Sequence, residues 1–143
     1  MLDFSSLSKA IAQLETSLGF TKSDLAQNDI RLAVQFRSAT IQAFEYTYEL
    51  CHKLLKRYLE ATDPSPQTID AMNFQDLIRT GAEKGLLKNS WDVWQLYREA
   101  KILALQSYDE PIAVKVFSVI PRFIEDVRFL VTQLQNKKLA NDV

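Results

Sequence analysis

No Gly or Pro interrupts the chain between Gly19 and Pro64. Within that span Ile30, Val34, Arg37, Ile41, Phe44, Tyr48, Cys51, Leu55 and Tyr58 recur at alternating steps of four and three. An α-helix has about 3.6 residues per turn, so this spacing lays a single stripe along one face. A half-buried strand needs alternation by two, bounded by turns, and no such pattern occurs. A long amphipathic helix therefore dominates whatever this chain folds into, with Arg37 the only polar break in its seam. Asn28 or Asp29 is placed to cap it. Asp63-Pro64-Ser65-Pro66 ends it near Ala61, because Pro restricts the residue before it and donates no hydrogen bond. Such a helix is ~45–50 Å long at ~1.5 Å per residue.

The rest of the chain follows the same period. A first helix is expected over about Ser5 to Leu25, with Leu7, Ile11, Leu14 and Leu18 on one face. Asn73, with Asp76 three residues on, has the layout of a cap for a short helix, Phe74 to Lys84, that weakens at Gly81 and Gly85. Ser90 is the expected cap of a helix carrying Trp91, Trp94, Tyr97, Ala100 and Ala104. Asp109 is the expected cap of a last helix, with Pro111 tolerated in its first turn. Its seam runs Ala113, Phe117, Ile120, Ile124, Val127, Val131 and Leu134. Pro121 lies inside it and removes the bond to the Phe117 carbonyl, so a kink is expected there. The fold class is thus all-α: an antiparallel four-helix up-and-down bundle with one short extra helix. Residues 1–143 form one domain, with a core over about 5–135 and a frayed polar tail over 136–143. Leu50 and Leu54 widen the long helix's stripe enough to serve a dimer or a thick core.

Composition limits the function classes. A chain of 143 residues buries roughly 70% of its unfolded surface, enough for a core without staples. Net charge is −1, which argues against a protein built to hold long nucleic acid by its phosphates. Cys51 is the only cysteine, so no intrachain disulfide forms. Met1-Leu2-Asp3-Phe4-Ser5 has no signal-peptide pattern, and no apolar run approaches the roughly 20 residues that span a bilayer. The expected location is cytoplasmic, with no membrane contact.

Candidate chemistry is sparse. Glu45, Glu49 and His52 share a helix face, but one His in the whole chain cannot build the paired Glu-x-x-His site of a di-metal bundle. No metal or cofactor is expected. Cys51 is ~100° around the helix from His52 and lies on the apolar seam, so it reads as a small core residue. Lys53, Lys56 and Arg57 form a basic helix end, which the helix dipole favours. Trp94, Tyr97, Lys101 and Tyr108 share one face if their helix continues that far. They would form either core or an aromatic platform with a cation. Three glycines in all leave no phosphate loop or dinucleotide fingerprint. The chemistry points to a binding module.

The segments Phe44-Glu45-Tyr46-Thr47-Tyr48-Glu49-Leu50 and Lys53-Leu54-Leu55-Lys56 resemble the signature helix of the nucleotidyltransferase substrate-binding protein family, a branch of the HEPN superfamily. Trp91, Trp94 and the segment ending Tyr108-Asp109-Glu110 fall where that family has a Trp-containing helix and a Thr-Tyr-Asp-Glu element. The resemblance runs from about Ser5 to Leu134. It implies a homodimer and a partner, a separate minimal nucleotidyltransferase. Related pairs act as toxin–antitoxin modules. There the bundle is a ribonuclease bearing Arg, four residues, His, one residue and Tyr, and the partner silences it by placing nucleotide on that Tyr.

In this chain Lys101 stands for the Arg and Gln106 for the His, and only Tyr108 matches. Gln is no general acid or base. Lys keeps the charge but loses the planar fork that grips phosphate. The expected function is therefore a non-catalytic substrate-binding subunit of a two-component nucleotidyltransferase system, or the acceptor of its nucleotide. The alternative is a HEPN-type ribonuclease with a degenerate site. Candidate contacts to partner, nucleotide or RNA are Lys101, Gln106, Tyr108, Asp109 and Glu110, with Trp94 and Tyr97 as support.

Overall fold

The structure, a computed structural model, describes residues 3–141. It contains α1 (Ser5–Thr21), α2 (Asp24–Asn28), α3 (Ile30–Thr62), α4 (Pro66–Asp70), α5 (Phe74–Glu83), α6 (Trp91–Leu103), a 3-10 turn (Ala104–Gln106) and α7 (Glu110–Asn141). No strand occurs among the described residues. The four longer helices alternate in direction. Phe4 meets Tyr58 and Phe20 meets Phe36, so α1 and α3 are antiparallel. Lys101 reaches Glu49 and Arg128 reaches Glu15, which sets α6 against α3 and α7 against α1. The helix α5 packs between α3 and α6 as an insertion.

Local chemistry explains most helix ends. The Asp29 carboxylate accepts from the Arg31 N–H at 2.9 Å and starts α3. Asn73 accepts from the Asp76 N–H at 2.9 Å and starts α5. Gly85 adopts φ +77° just past α5, where the Leu86 N–H bonds to the Gly81 carbonyl at 2.9 Å and the Gly85 N–H to that of Ala82 at 3.1 Å. This double closure needs a left-handed residue, which a glycine adopts without strain. Gly81 itself is buried. A Cβ there would stand 3.2 Å from Leu87, so it is a close-packing glycine rather than a terminator.

Several expectations are corrected. The first helix stops at Thr21, and Ser23 opens α2 by accepting from the Ala26 N–H. Pro66 begins a one-turn helix, since its fixed φ and missing N–H suit a first turn. Ser90 precedes α6 but its side chain makes no capping bond. The helix α7 includes Pro121, as expected, and extends to Asn141; residues 142–143 of the polar tail lie outside the described residues. The seam of α3 is only partly buried. From Ile41 onward its apolar members face the core, but Ile30 is 80% exposed and Val34 38%.

The core centres on Phe44, Trp94, Tyr97 and Phe123, all fully buried. Phe44 meets Phe123 edge-on at 4.9 Å, Trp94 meets Tyr97 at 5.1 Å, and Tyr97 meets Phe123 at 5.3 Å. Edge-to-face contacts of this kind add to the burial gain. Beside them lies one buried carboxylate, Asp126, which accepts from Asn89 at 2.8 Å and from the Tyr97 hydroxyl. These bonds supply what water gave it in the unfolded chain, and they tie α6 to α7.

Candidate functional site

The motif residues divide along the α6–α7 connection. Lys101 sits in the last turn of α6, its Nζ 3.1 Å from Glu49 Oε1 on α3. Glu45 lies one turn before Glu49. Burial raises its carboxyl above the usual range, Lys101 pulls it back and Glu49 pushes it up again. The one basic residue of the motif is therefore already engaged by a carboxylate. Gln106 ends the 3-10 turn with an exposed side chain, and its carbonyl accepts from the Asp109 N–H at 3.0 Å. Tyr108 follows on the short connection and is 89% exposed. Its ring is therefore not packed into the bundle.

Asp109 and Glu110 have structural duties. Asp109 caps α7, its carboxylate accepting from the Ile112 N–H at 3.2 Å. Glu110 takes a two-pronged grip from Arg37, with Nη1 to Oε1 at 2.8 Å and Nη2 to Oε2 at 2.5 Å. The guanidinium holds the Glu110 carboxyl below its ordinary range. This contact explains the polar break in the α3 seam. Arg37 anchors the start of α7 to the long helix and so fixes the segment that displays Tyr108.

Trp94 and Tyr97 do not join this group. The helix α6 ends at Leu103, so the face that would have aligned them with Tyr108 is interrupted. Both rings lie wholly in the core, and the Tyr97 phenol is committed to Asp126. Both were expected as support for the motif, and both are core residues with no exposed surface for a contact.

Among the described residues no group of three His, Cys, Asp or Glu comes together to hold a metal ion. His52 instead packs its ring edge-on against Phe74 at 4.5 Å. Its burial, helped by Lys56 and Arg98, lowers its proton affinity. Cys51 is buried, which pushes its thiol up to about 12. An inert core thiol is what the seam predicts.

Residues 2–136 match the protein family described as nucleotidyltransferase substrate binding protein like. The chain belongs to this family. A Haemophilus influenzae protein named "Probable ribonuclease HepT" is 28% identical over 134 residues, spanning 94% of this chain and 88% of the relative. The solved Haemophilus influenzae structure described as the fold of a substrate-binding domain of a nucleotidyltransferase is 26% identical, with a TM-score of 0.87. That likeness covers 93% of this chain and 99% of the other. Family membership thus rests on nearly the whole bundle. No helix among the described residues is long and apolar enough to cross a membrane.

The Asp126–Tyr97–Asn89 network was not anticipated from the sequence. The usable signal was a lone Asp beside the seam of α7, between Phe123 and Val127, where a charge needs a partner.

Proposed function

We propose that this chain is the non-catalytic substrate-binding subunit of a two-component minimal nucleotidyltransferase system, working as a homodimer, and that Tyr108 is the acceptor of the transferred nucleotide. The observation that carries the reading is the display of Tyr108. Its ring stands in solvent on a short connection whose two ends are anchored, by Lys101–Glu49 on one side and Arg37–Glu110 on the other. A fixed, accessible phenol suits attack on a nucleoside triphosphate held by another protein. The phenol oxygen bonds to the α-phosphorus, the bond to pyrophosphate breaks, and the phenolic proton passes to a base on the transferase.

Two further observations support this over RNA cleavage by the chain. Gln106 supplies no proton-transfer group, and Lys101 spends its charge on Glu49. The homodimer draws support from Ile30, Val34 and Val114, exposed around a groove of about 360 Å³ between α3 and α7. Apolar surface grouped in this way favours burial against a second protein surface. The ribonuclease reading keeps one support, the name of the 28% identical relative.

The test is transfer in vitro. A candidate minimal nucleotidyltransferase is incubated with Mg²⁺, labelled nucleoside triphosphate and either wild-type chain or Tyr108→Phe. Label on wild type and none on Tyr108→Phe is expected. Equal labelling of both would refute the acceptor role.

A further inference from the structure

The basic end of α3 and the aromatic start of α6 were separate features in the sequence, and the fold brings them together. Phe74, from the inserted helix α5, stands between them. Its ring is 4.5 Å from His52, 6.0 Å from Trp91 and 5.4 Å from Tyr48. Arg98 lies over the Trp91 ring with its guanidinium carbon 5.9 Å from the centroid. Phe74, Trp91 and His52 are all only partly buried, unlike the core aromatics behind them.

The charges around this cluster are unbalanced. Lys56 has one partner, the exposed Asp70 at 3.2 Å. Arg98 is exposed and makes no ion pair among the described residues. Glu49, the acid one turn before His52, is committed to Lys101. Asp92 beside Trp91, Asp76 in the first turn of α5 and Glu99 next to Arg98 are further carboxylates on these elements. The lowered proton affinity of His52, to which Lys56 and Arg98 both contribute, agrees with a locally positive surface. The Ser90 side chain leaves the first turn of α6 uncapped at the same place, so backbone N–H groups there lack that partner.

Partly buried aromatic rings bordered by cations, here Lys56 and the ion-pair-free Arg98, are the chemistry that stacks a nucleobase and holds its phosphate. We propose that Trp91, Phe74 and Arg98, with His52 and Lys56 beside them, form a binding platform for one nucleotide unit, a base with its phosphate. The unit is a free mononucleotide or one residue of a single strand. The platform lies on α3, α5 and the start of α6, apart from Tyr108 beyond the other end of α6. It needs no transferase, so it stands or falls separately from the acceptor role.

The experiment uses the full chain alone. His52 is its only histidine and Trp91 and Trp94 its only tryptophans, so ring resonances are simple to assign. The chain is titrated with AMP, with a short oligo(A) and with inorganic phosphate, following His52 and indole signals by NMR. AMP or oligo(A) should shift His52 and the Trp91 indole and raise the pH at which His52 titrates, because a phosphate favours its charged form. Tighter binding of oligo(A) than of AMP identifies a strand as the source, and equal binding a free nucleotide. Both support the platform. Arg98→Gln, at an exposed position, and Trp91→Leu should each weaken binding by about tenfold, while Tyr108→Phe leaves it unchanged. No shift with AMP or oligo(A) at millimolar concentration would overturn the proposal. So would shifts centred on Tyr108, or equal shifts with inorganic phosphate, which would mean an anion site without stacking.

Discussion

Replacing Tyr97 by Phe removes one hydroxyl from a site that water does not reach. Asp126 is 1% exposed and, among the described residues, accepts two side-chain hydrogen bonds, from Tyr97 and from Asn89. A hydrogen bond to a charged group contributes about 1.5–3 kcal/mol net, and leaving a buried carboxylate half-satisfied adds to the loss. The expected destabilisation is about 2–4 kcal/mol, concentrated where α6 meets α7. With a urea m-value of about 2 kcal/mol/M, the midpoint should fall by about 1–2 M with the slope unchanged. Thermal unfolding should drop by about 5–12 °C for a domain of this size. Adding Asp126→Leu should recover part of the loss, because a buried charge without partners costs more than an apolar side chain in its place. The assay is urea titration followed by far-UV circular dichroism on both single variants, the double variant and wild type. A midpoint for Tyr97→Phe within about 10% of wild type would refute the reasoning, as would a double variant weaker than the sum of its parts.

Alkaline pH should unfold the chain earlier than its net charge suggests. Burial holds the Cys51 thiol up to about 12 against an ordinary 9, and the Tyr48 and Tyr97 phenols above an ordinary 10. The folded state keeps these protons, so their stabilisation is full below about pH 9 and falls as pH rises, by up to ~1.4 kcal/mol per unit per group. Urea midpoints across pH 8–11 check this, and a midpoint that rises over that window contradicts it. Cys51 should stay unreactive to a disulfide reagent at pH 8 until the chain is denatured, as absorbance will report. Gly85→Ala should cost about 1–2 kcal/mol through its φ of +77°, measured as a lower urea midpoint. Wild type should run as the proposed homodimer and Val34→Glu as a folded monomer, read by light scattering; a dimer that survives the substitution places the interface elsewhere. Purified wild-type chain should leave RNA intact on a gel, and cleavage abolished by Lys101→Ala would favour the ribonuclease reading instead.

The features legible from the sequence were those written in local chemistry. The length and ends of α3 follow from its unbroken period, Asp29 and the Pro64 stop. Asn73 and Asp109 cap as their spacing suggests. The break after Thr21 was hidden because Leu18 and Leu25 keep the helical period across it. The end of α6 at Leu103 was hidden too, since no Gly or Pro lies between Gly85 and Pro111. Which tryptophan faces outward is a tertiary fact. Trp91 and Trp94 are three residues apart, and only the placement of α5 leaves one at the surface and the other in the core. Arg37 looked like a flaw in the seam, and its partner Glu110 lies seventy-three residues away in sequence.

The central claim is that this bundle works with a nucleotidyltransferase, and the most direct measurement is their association. An untagged candidate minimal nucleotidyltransferase is co-expressed with a tagged copy of the chain, and the captured material is measured by size-exclusion light scattering. The account predicts a stable complex containing two copies of the bundle. A bundle that elutes alone, with the transferase left in the flow-through, would contradict it.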